Sequence, residues 1–100
     1  DNYCEKMCKD FGYETELGGH KAFACNIYQF GSKGFGERMN QYPFCIAYAY
    51  DGKRWTVSLY SINGVKVNEI CSKYGGGGHP GAAGFVTDSL PFEKELKDKK

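Results

Sequence analysis

The chain has 100 residues, which predicts a single domain with one modest hydrophobic core. Hydrophobic residues make up 41% of the sequence and the formal net charge is +1, a composition typical of an ordinary folded domain. Charge alone therefore predicts no nucleic-acid or membrane partner. No apolar run approaches the roughly 18 residues that a membrane helix requires, and we expect a cytoplasmic location.

The first predicted elements are a helix and a strand. Apolar residues recur at four-residue steps over the first eleven positions and predict a helix that Gly12 ends. Because the chain opens with Asp1 inside this helix, we expect it to be part of a longer protein. Residues 22–28 alternate between two faces and predict a strand, and residues 30–41 predict a loop or a short helix.

The cysteines predict reduced thiols. The five positions, Cys4, Cys8, Cys25, Cys45 and Cys71, show neither a CxxC pair nor a disulfide-framework spacing. Cys4 and Cys8 share one face of the predicted helix and could bind a metal together with His20, but ordinary packing is the favoured interpretation. We therefore assign no metal site.

A β-hairpin is predicted from the middle of the chain. Strands Phe44–Tyr50 and Lys53–Tyr60 flank Asp51-Gly52, a dipeptide suited to a two-residue type I′ turn. The pairs expected to face each other are Tyr50 and Lys53, Tyr48 and Trp55, Ile46 and Val57, and Phe44 and Leu59. One face of this hairpin is then wholly large and apolar, so it must belong to the core.

The other face of the hairpin carries small and hydroxyl side chains. We expect something to lie close against it. A packed helix is the favoured cover near Ala47, and a ligand groove becomes more plausible toward Ser58 and Tyr60, where hydroxyl groups accumulate.

A second helix is predicted further along, because apolar residues recur at helical spacing from Val67 to Tyr74, and Gly75 suits a left-handed cap. Another strand begins at Phe85, and the charged tail of residues 93–100 predicts a solvated helix. Together these elements predict an α/β domain with a mixed β-sheet of about four to five strands flanked by helices.

The stretch from Tyr74 to Phe85, YGGGGHPGAAGF, holds six of the chain's 14 glycines. One glycine suffices for a helix cap, so Gly76 to Gly78 need another explanation. Consecutive glycines can turn several amide N–H groups toward one point and form an anion nest, with His79 donating to a phosphate oxygen at its rim. A flexible hinge or a tight packing corner is the alternative. The run is neither a Walker A loop nor a dinucleotide fingerprint, because it lacks Lys-Ser/Thr and follows a helix.

The motif GGGGHPGAAGF, preceded by a short helix and by TVSLYS, resembles the signature of the DHH-associated C-terminal domain of DHH-family phosphoesterases. This family includes RecJ-like single-strand exonucleases, enzymes that degrade very short oligoribonucleotides or phosphoadenosine phosphate, and cyclic-dinucleotide hydrolases. The resemblance covers about residues 17 to 87, and ELGGHK and DGKRWTVSLYS support it less specifically. A related glycine-rich domain occurs in alanyl-tRNA synthetases, but its continuation differs from HPGAAGF.

The resemblance implies a division of labour between two domains. In that family an N-terminal domain carries an Asp-His-His motif and holds two manganese ions that activate water for phosphodiester hydrolysis, while the C-terminal domain grips the substrate. This sequence contains no DHH triplet, so residues 1–100 are expected to be one substrate-binding domain without catalytic residues or metal ligands. We expect manganese only in the absent catalytic domain, which is the expected partner within the same chain.

The resemblance also implies a set of substrate-binding residues: Gly76, Gly77, Gly78, His79, Ala82, Ala83, Ser58 and Tyr60. The three glycines would offer amides, His79 would bond a phosphate or a base, and the two alanines would keep the pocket floor low. Ser58 and Tyr60 would border the site from the adjacent strand.

One position departs from the family's pattern. Many relatives have Arg where Tyr60 stands, and a tyrosine can stack on a base but supplies no charge for phosphate. Arg38 and Lys33 are the candidates to supply that charge, whereas Arg54 is expected to be too distant. His20 also follows two glycines, but it is expected to be a turn histidine.

Two interpretations of function follow. Under the first, the domain grips the phosphate and base of short single-stranded nucleic acid or a small nucleotide, as part of an exonuclease, an oligoribonuclease or a related metal-dependent hydrolase. Under the second, it binds polyphosphate, as in exopolyphosphatases, or is a non-enzymatic packing or interaction domain. Dependence of binding on a nucleobase separates the two interpretations.

Overall fold

A computed structural model describes residues 2–26 and 32–91 of the chain. The helices are α1 (Asn2–Phe11), a 3₁₀ helix (Ser32–Phe35), α2 (Arg38–Gln41) and α3 (Val67–Ser72). The strands are β1 (Tyr13–Leu17), β2 (His20–Asn26), β3 (Phe44–Tyr50), β4 (Trp55–Tyr60), β5 (Gly77–His79) and β6 (Ala82–Thr87). The end of the strand predicted to reach residue 28 and the helix predicted at residues 93–100 lie outside the described residues. None of the described helices has the length and apolar character needed to cross a bilayer.

The strands form one mixed sheet in the order β1-β2-β3-β4-β6-β5. Among the strands that the structure describes, only β2 and β3 pair in parallel, and the other neighbours are antiparallel. The predicted α/β class is confirmed, with six strands instead of four or five. The strands that sequence analysis missed are β1, which carries two glutamates, and β5, which is mostly glycine. Both residue types are depleted in strands, so pairing with neighbours overrides their local preference.

The predicted hairpin of β3 and β4 forms, but its connection is longer than predicted. Tyr50 pairs with Trp55, which leaves four residues in the loop, so the predicted register is wrong by two residues. The Asp51 carboxylate stabilises this longer turn, because it accepts hydrogen bonds from the amides of Lys53 and Arg54, both at 2.9 Å. A two-residue shift keeps every side chain on its predicted face.

The large apolar face of the hairpin forms the main core, as predicted. Ile46, Val57 and Leu59 are fully buried there, and α3 packs over them through Val67 and Cys71. Burying one such side chain contributes roughly 1.5–3 kcal/mol, so this layer supplies much of the domain's stability. We call this side of the sheet the core face and the opposite side the second face.

The second face is covered by helices over β2 and β3. Cys8 of α1, Phe35 of the 3₁₀ helix and Met39 of α2 pack there against Cys45 and Ala47. Since Ala47 is only 5% exposed, the prediction of a packed helix at this end is confirmed.

Three buried thiols each donate a weak hydrogen bond to a main-chain carbonyl. Two of these bonds connect the sheet to the helical layer, and the third connects two helical segments of that layer. The Sγ atoms of Cys8, Cys25 and Cys45 lie 3.8, 3.6 and 3.6 Å from the carbonyl oxygens of Gly34, Met7 and Arg38. The four cysteines whose side chains are described are all free and buried, as expected for reduced thiols.

We expect the folding stability to fall at alkaline pH. Burial, with a smaller effect of the Cys8 thiol, raises the pKa of Cys45 to about 12, and burial raises the pKa of Cys71 to about 11. Unfolded thiols ionise near pH ~8.5, so above that pH the unfolded chain releases protons that the native chain retains. The contribution of each thiol to the free energy of unfolding is therefore complete below pH ~8.5. By pH ~10 this free energy should be lower by roughly 2 kcal/mol for each thiol.

Urea unfolding at pH 8 and pH 10 measures this loss. In Cys45→Ala one of the two titrations is removed, so the difference in unfolding free energy between the two pH values should shrink. Equal losses in the parent and the variant would contradict the assignment of the alkaline effect to Cys45.

Candidate functional site

The described residues leave the second face exposed over β4, β6 and β5. Strand pairing places eight residues on this part of the sheet, which we call the open face: Thr56, Ser58, Tyr60, Ala82, Gly84, Val86, Gly77 and His79. Gly77, His79, Ala82 and Val86 are exposed, and the other four are half-buried. The covered and open halves meet at Tyr60, which packs against the buried residues of the helical layer.

Two parallel rows of residues cross the open face. The first row runs from Tyr60 through Ala82 to His79, and the second runs from Ser58 through Gly84 to Gly77. Neighbouring strands lie about 4.8 Å apart, so His79 is about 10 Å from Tyr60 with only a methyl group between them. The fold therefore brings five of the eight predicted residues onto one exposed surface.

His79 is held at the end of β5 by a turn that is anchored on both sides. The carbonyl oxygens of Pro80 and Gly81 accept hydrogen bonds from the amides of Val67 and Ser61 at 2.9 and 3.0 Å. The His79 side chain is exposed and has no hydrogen-bond partner among the described residues. Its imidazole can therefore donate to a ligand oxygen in either protonation state.

Tyr60 is fixed from the side of the helical layer. Its ring lies 6.4 Å from the ring of Phe35, and the side chain is half-buried at the border of the covered half. Because Phe35 is fully buried, the Tyr60 ring has a rigid support. An aromatic ring in this position offers a surface on which a base can stack.

Gly76 does not offer its amide to a ligand, contrary to prediction. Its N–H donates to the carbonyl of Cys71 at 2.9 Å, and the N–H of Gly75 donates to the carbonyl of Ser72 at 3.2 Å. These two bonds, with Gly75 at φ +85°, are the Schellman arrangement that closes α3. The left-handed cap at Gly75 is confirmed, but the cap uses two glycines, and the amide nest expected across the glycine run does not include them.

Gly78 and Ala83 face the core side of the sheet and lie off the open face. They pair with each other across β5 and β6, and Ala83 is only 9% exposed within the main core. A Cβ on Gly78 would meet the Ala83 Cα at 2.7 Å, so this glycine permits close packing of the two strands. The small residues of β6 that lie on the open face are Ala82, which is among the predicted binding residues, and Gly84, which is not.

A groove of about 500 Å³ extends the open face away from His79. Ser58, Gly76 and Gly84 line its near end, and Arg54 lies at its far end. Tyr74 also lines the groove and stacks on Phe85, with ring centroids 4.8 Å apart. Gly84 and Tyr74 both lie within the motif quoted above, but only strand pairing shows that they border the same groove as Ser58.

Arg38 and Lys33 are the candidates to supply the charge of the arginine that many relatives have where Tyr60 stands, and neither is shown beside Tyr60. Arg38 lies over the ring of Phe23, with its Cζ atom 5.0 Å from the ring centroid. Phe23 is two strands from Tyr60, about 10 Å away. The Lys33 side chain is outside the described residues. Arg54 lies at the distant end of the open face, as predicted.

A metal site is not formed by the described residues, among which no three His, Cys, Asp or Glu side chains are grouped to hold an ion. The Cys4 side chain is outside the described residues. His20 begins β2 directly after the Gly18-Gly19 turn, and its ring packs edge-on at 6.2 Å from the ring of Phe44. His20 was expected to be a turn histidine and is instead the first residue of the strand that follows the turn.

Solved structures share this fold over nearly the whole chain. A crystal structure of an uncharacterized protein from Helicobacter pylori G27 matches 98% of the chain with a TM-score of 0.67 and 20% identity. The pGpG-specific phosphodiesterase PggH from Vibrio cholerae matches 98% with a TM-score of 0.61 and 14% identity. The chain spans only 29% and 36% of the lengths of these two proteins. No curated protein matches the sequence.

The model of the DHHA1 domain matches residues 36–99, which is most of the chain. The protein therefore belongs to the DHHA1 domain family. This confirms the predicted family at the level of the domain.

Gly76→Ala should destabilise the fold, whereas Gly77→Ala should not. A Cβ on Gly76 would lie 2.1 Å from the carbonyl oxygen of Gly84 and 2.6 Å from the Cβ of Phe85, but a Cβ on Gly77 meets nothing within 4 Å. We expect Gly76→Ala to cost about 2 kcal/mol or more through displacement of the β5–β6 hairpin. Thermal unfolding of the two variants measures the difference, and equal melting temperatures would contradict the close approach.

Proposed function

We propose that this chain is the substrate-binding domain of a DHH-family phosphoesterase. It grips the phosphate and base of short single-stranded nucleic acid or of a small nucleotide on the open face. One observation carries the proposal: His79, Tyr60 and Ser58 share an exposed surface with Gly77 and Gly84, whose missing side chains leave its floor low.

Each group on this surface has a distinct role in the proposal. His79 donates a hydrogen bond to a phosphate oxygen, and this bond is charge-assisted when the imidazole is protonated. The Ser58 hydroxyl can donate to the same phosphate or to a sugar oxygen. Tyr60 stacks on a base, a contact worth about 1–3 kcal/mol.

Main-chain amides contribute through the edge of the sheet instead of through a nest. β5 is the edge strand, and no strand of the described residues pairs with its outer side. In an antiparallel pair successive residues direct their N–H groups alternately toward and away from the partner. At least one amide of Gly77, Gly78 and His79 therefore points away from β6, where a ligand oxygen can accept from it.

Hydrolysis is assigned to another part of the protein. The described residues do not fit a manganese site, because they hold no grouped set of ligands. The chain also spans about a third of the solved proteins that share its fold. We propose that a catalytic DHH domain of the same protein lies against the open face, and that this chain alone is not catalytic.

A nucleotide fits the open face better than polyphosphate does. The two rows contain an aromatic ring, hydroxyl groups and one histidine but no cation, and the arginine that lines the adjoining groove, Arg54, is at its far end. A polyphosphate site requires several cations close together, whereas a nucleotide uses one phosphate contact and a stacking surface.

His79→Ala should weaken ligand binding by about 1–3 kcal/mol through the lost hydrogen bond, without loss of stability, because the side chain is exposed. The measurement is titration of the full-length protein with a dinucleotide. His20→Ala is the matched control, since it removes an exposed histidine from the turn at the other end of the sheet.

The same titration with tripolyphosphate tests the ligand class. We expect the dinucleotide to bind the parent protein more tightly, because only it can stack on Tyr60. Equal affinities would exclude base stacking. An unchanged affinity in His79→Ala would exclude the row of Tyr60, Ala82 and His79 from the site.

Gly77→Val should abolish binding while the fold is retained. The fold should tolerate valine here, because Gly77 has no positive φ and a Cβ at this position meets nothing within 4 Å. The isopropyl group would stand on the floor of the open face and exclude the ligand. A dinucleotide affinity within twofold of the parent, at equal melting temperature, would show that the ligand does not approach Gly77.

A further inference from the structure

The groove beyond Ser58 has the features of a second binding position. Its volume is about 500 Å³, enough for a nucleotide unit, and it is continuous with the proposed site because Ser58 and Gly84 belong to both. The hydroxyl groups of Ser58 and Thr56 lie on the same face of β4. Two residues of a strand span about 7 Å, so these two donors follow one another along the groove.

Arg54 lies at the far end of the groove, where it forms an ion pair with Asp88 that a ligand could replace. Its Nε atom lies 3.1 Å from the Oδ1 atom of Asp88, and its Nη2 donates to the carbonyl of Val86 at 3.4 Å. The side chains of Arg54 and Asp88 are 51% and 86% exposed, so this ion pair contributes little to stability. A phosphate can replace the carboxylate, because a guanidinium binds both anions in the same planar geometry.

The distance between Arg54 and the first row sets the size of the ligand. Arg54 directly precedes β4 and lines the groove together with Thr56 and Ser58 of the open face. It is six residues from Tyr60, which corresponds to about 20 Å of extended chain. A mononucleotide bound at Tyr60 and His79 cannot reach across this distance. A single strand of about six nucleotides spans it when stacked as in a duplex, and fewer residues suffice when the strand is extended.

We propose that Arg54 forms a second anion subsite, which binds a backbone phosphate of an oligonucleotide whose end lies at His79 and Tyr60. This inference rests on the proposed function and deepens it, because it makes the ligand an oligonucleotide several residues long. Thr56 and Ser58 then donate to phosphates between the two ends. Asp88 competes with the ligand for the guanidinium.

Arg54→Gln tests the subsite in the full-length protein, with a hexanucleotide and a mononucleotide as ligands at several salt concentrations. We expect hexanucleotide affinity to fall about tenfold and mononucleotide affinity to stay within twofold. The slope of log affinity against log salt for the hexanucleotide should become shallower by about 0.7, as for one lost phosphate contact with a single strand.

Two further variants complete the test. Lys53→Gln removes an exposed cation from the neighbouring position outside the groove, so it should leave both affinities and the salt slope unchanged. Asp88→Asn removes the competing carboxylate, so hexanucleotide affinity should rise severalfold. Melting temperatures of all variants should match the parent, since the three side chains are exposed.

The outcomes separate this inference from the proposed function. If Arg54→Gln and Lys53→Gln affect hexanucleotide binding equally, or if Arg54→Gln weakens the mononucleotide as much as the hexanucleotide, the second subsite is excluded. If His79→Ala leaves mononucleotide binding unchanged, the proposed function fails, whatever the result for Arg54.

Discussion

The close approach of Gly76 to β6 is the constraint on which the candidate site depends. The chain leaves α3 through two glycine amides that bond to the helix, and it then passes so close to Gly84 that no side chain fits at position 76. This approach brings β5 alongside β6 and places His79 in register with Ala82 and Tyr60. The glycines thus position a side chain, where sequence reasoning had them bind the ligand directly.

The second constraint is the unequal covering of the two faces of the sheet. On the core face α3 packs over the main core, whereas the described helical layer on the second face reaches only to Tyr60. A small domain has few elements with which to cover both sides of a sheet, and residues 2–26 and 32–91 leave one half of the second face open. In this chain the open half carries hydroxyl groups, a histidine and glycines, a composition suited to a polar ligand and poor for core packing.

The distribution of charge relates the site to the ligand that we propose. In the site that we propose, Tyr60 is a stacking surface at the position where the resemblance implies an arginine in many relatives, and Arg38 lies over the ring of Phe23 on the covered half. The positive charge that borders the open face is instead at Arg54, about 20 Å away along β4. Stacking at one end and charge at the other favour an elongated anionic ligand over a compact one.

The local spacing and type of residues were sufficient to predict much of the fold. The hairpin faces and α3 follow from the period of apolar residues, because burial depends on side chains that alternate or recur at fixed spacing. The left-handed cap follows from Gly75, and the helix over Ala47 follows from the small side chains on that face of the hairpin. The register of β3 and β4 was wrong by two residues, since the Asp51 side chain stabilises a longer turn that the dipeptide Asp-Gly does not reveal. β1 and β5 were missed because their residues have little preference for strands, and pairing with neighbours forms them.

For the candidate site, the sequence by itself determined the family, the glycine-rich motif and most of the residues that the fold brings together. Only the tertiary structure decided that Gly78 and Ala83 lie on the core side of the sheet, that the Gly76 amide belongs to a helix cap, and that Gly84 and Arg54 border the groove. The physical reason is that a residue type records what a side chain can do, whereas the face it occupies and the partner of its amide are set by contacts between segments distant in the chain.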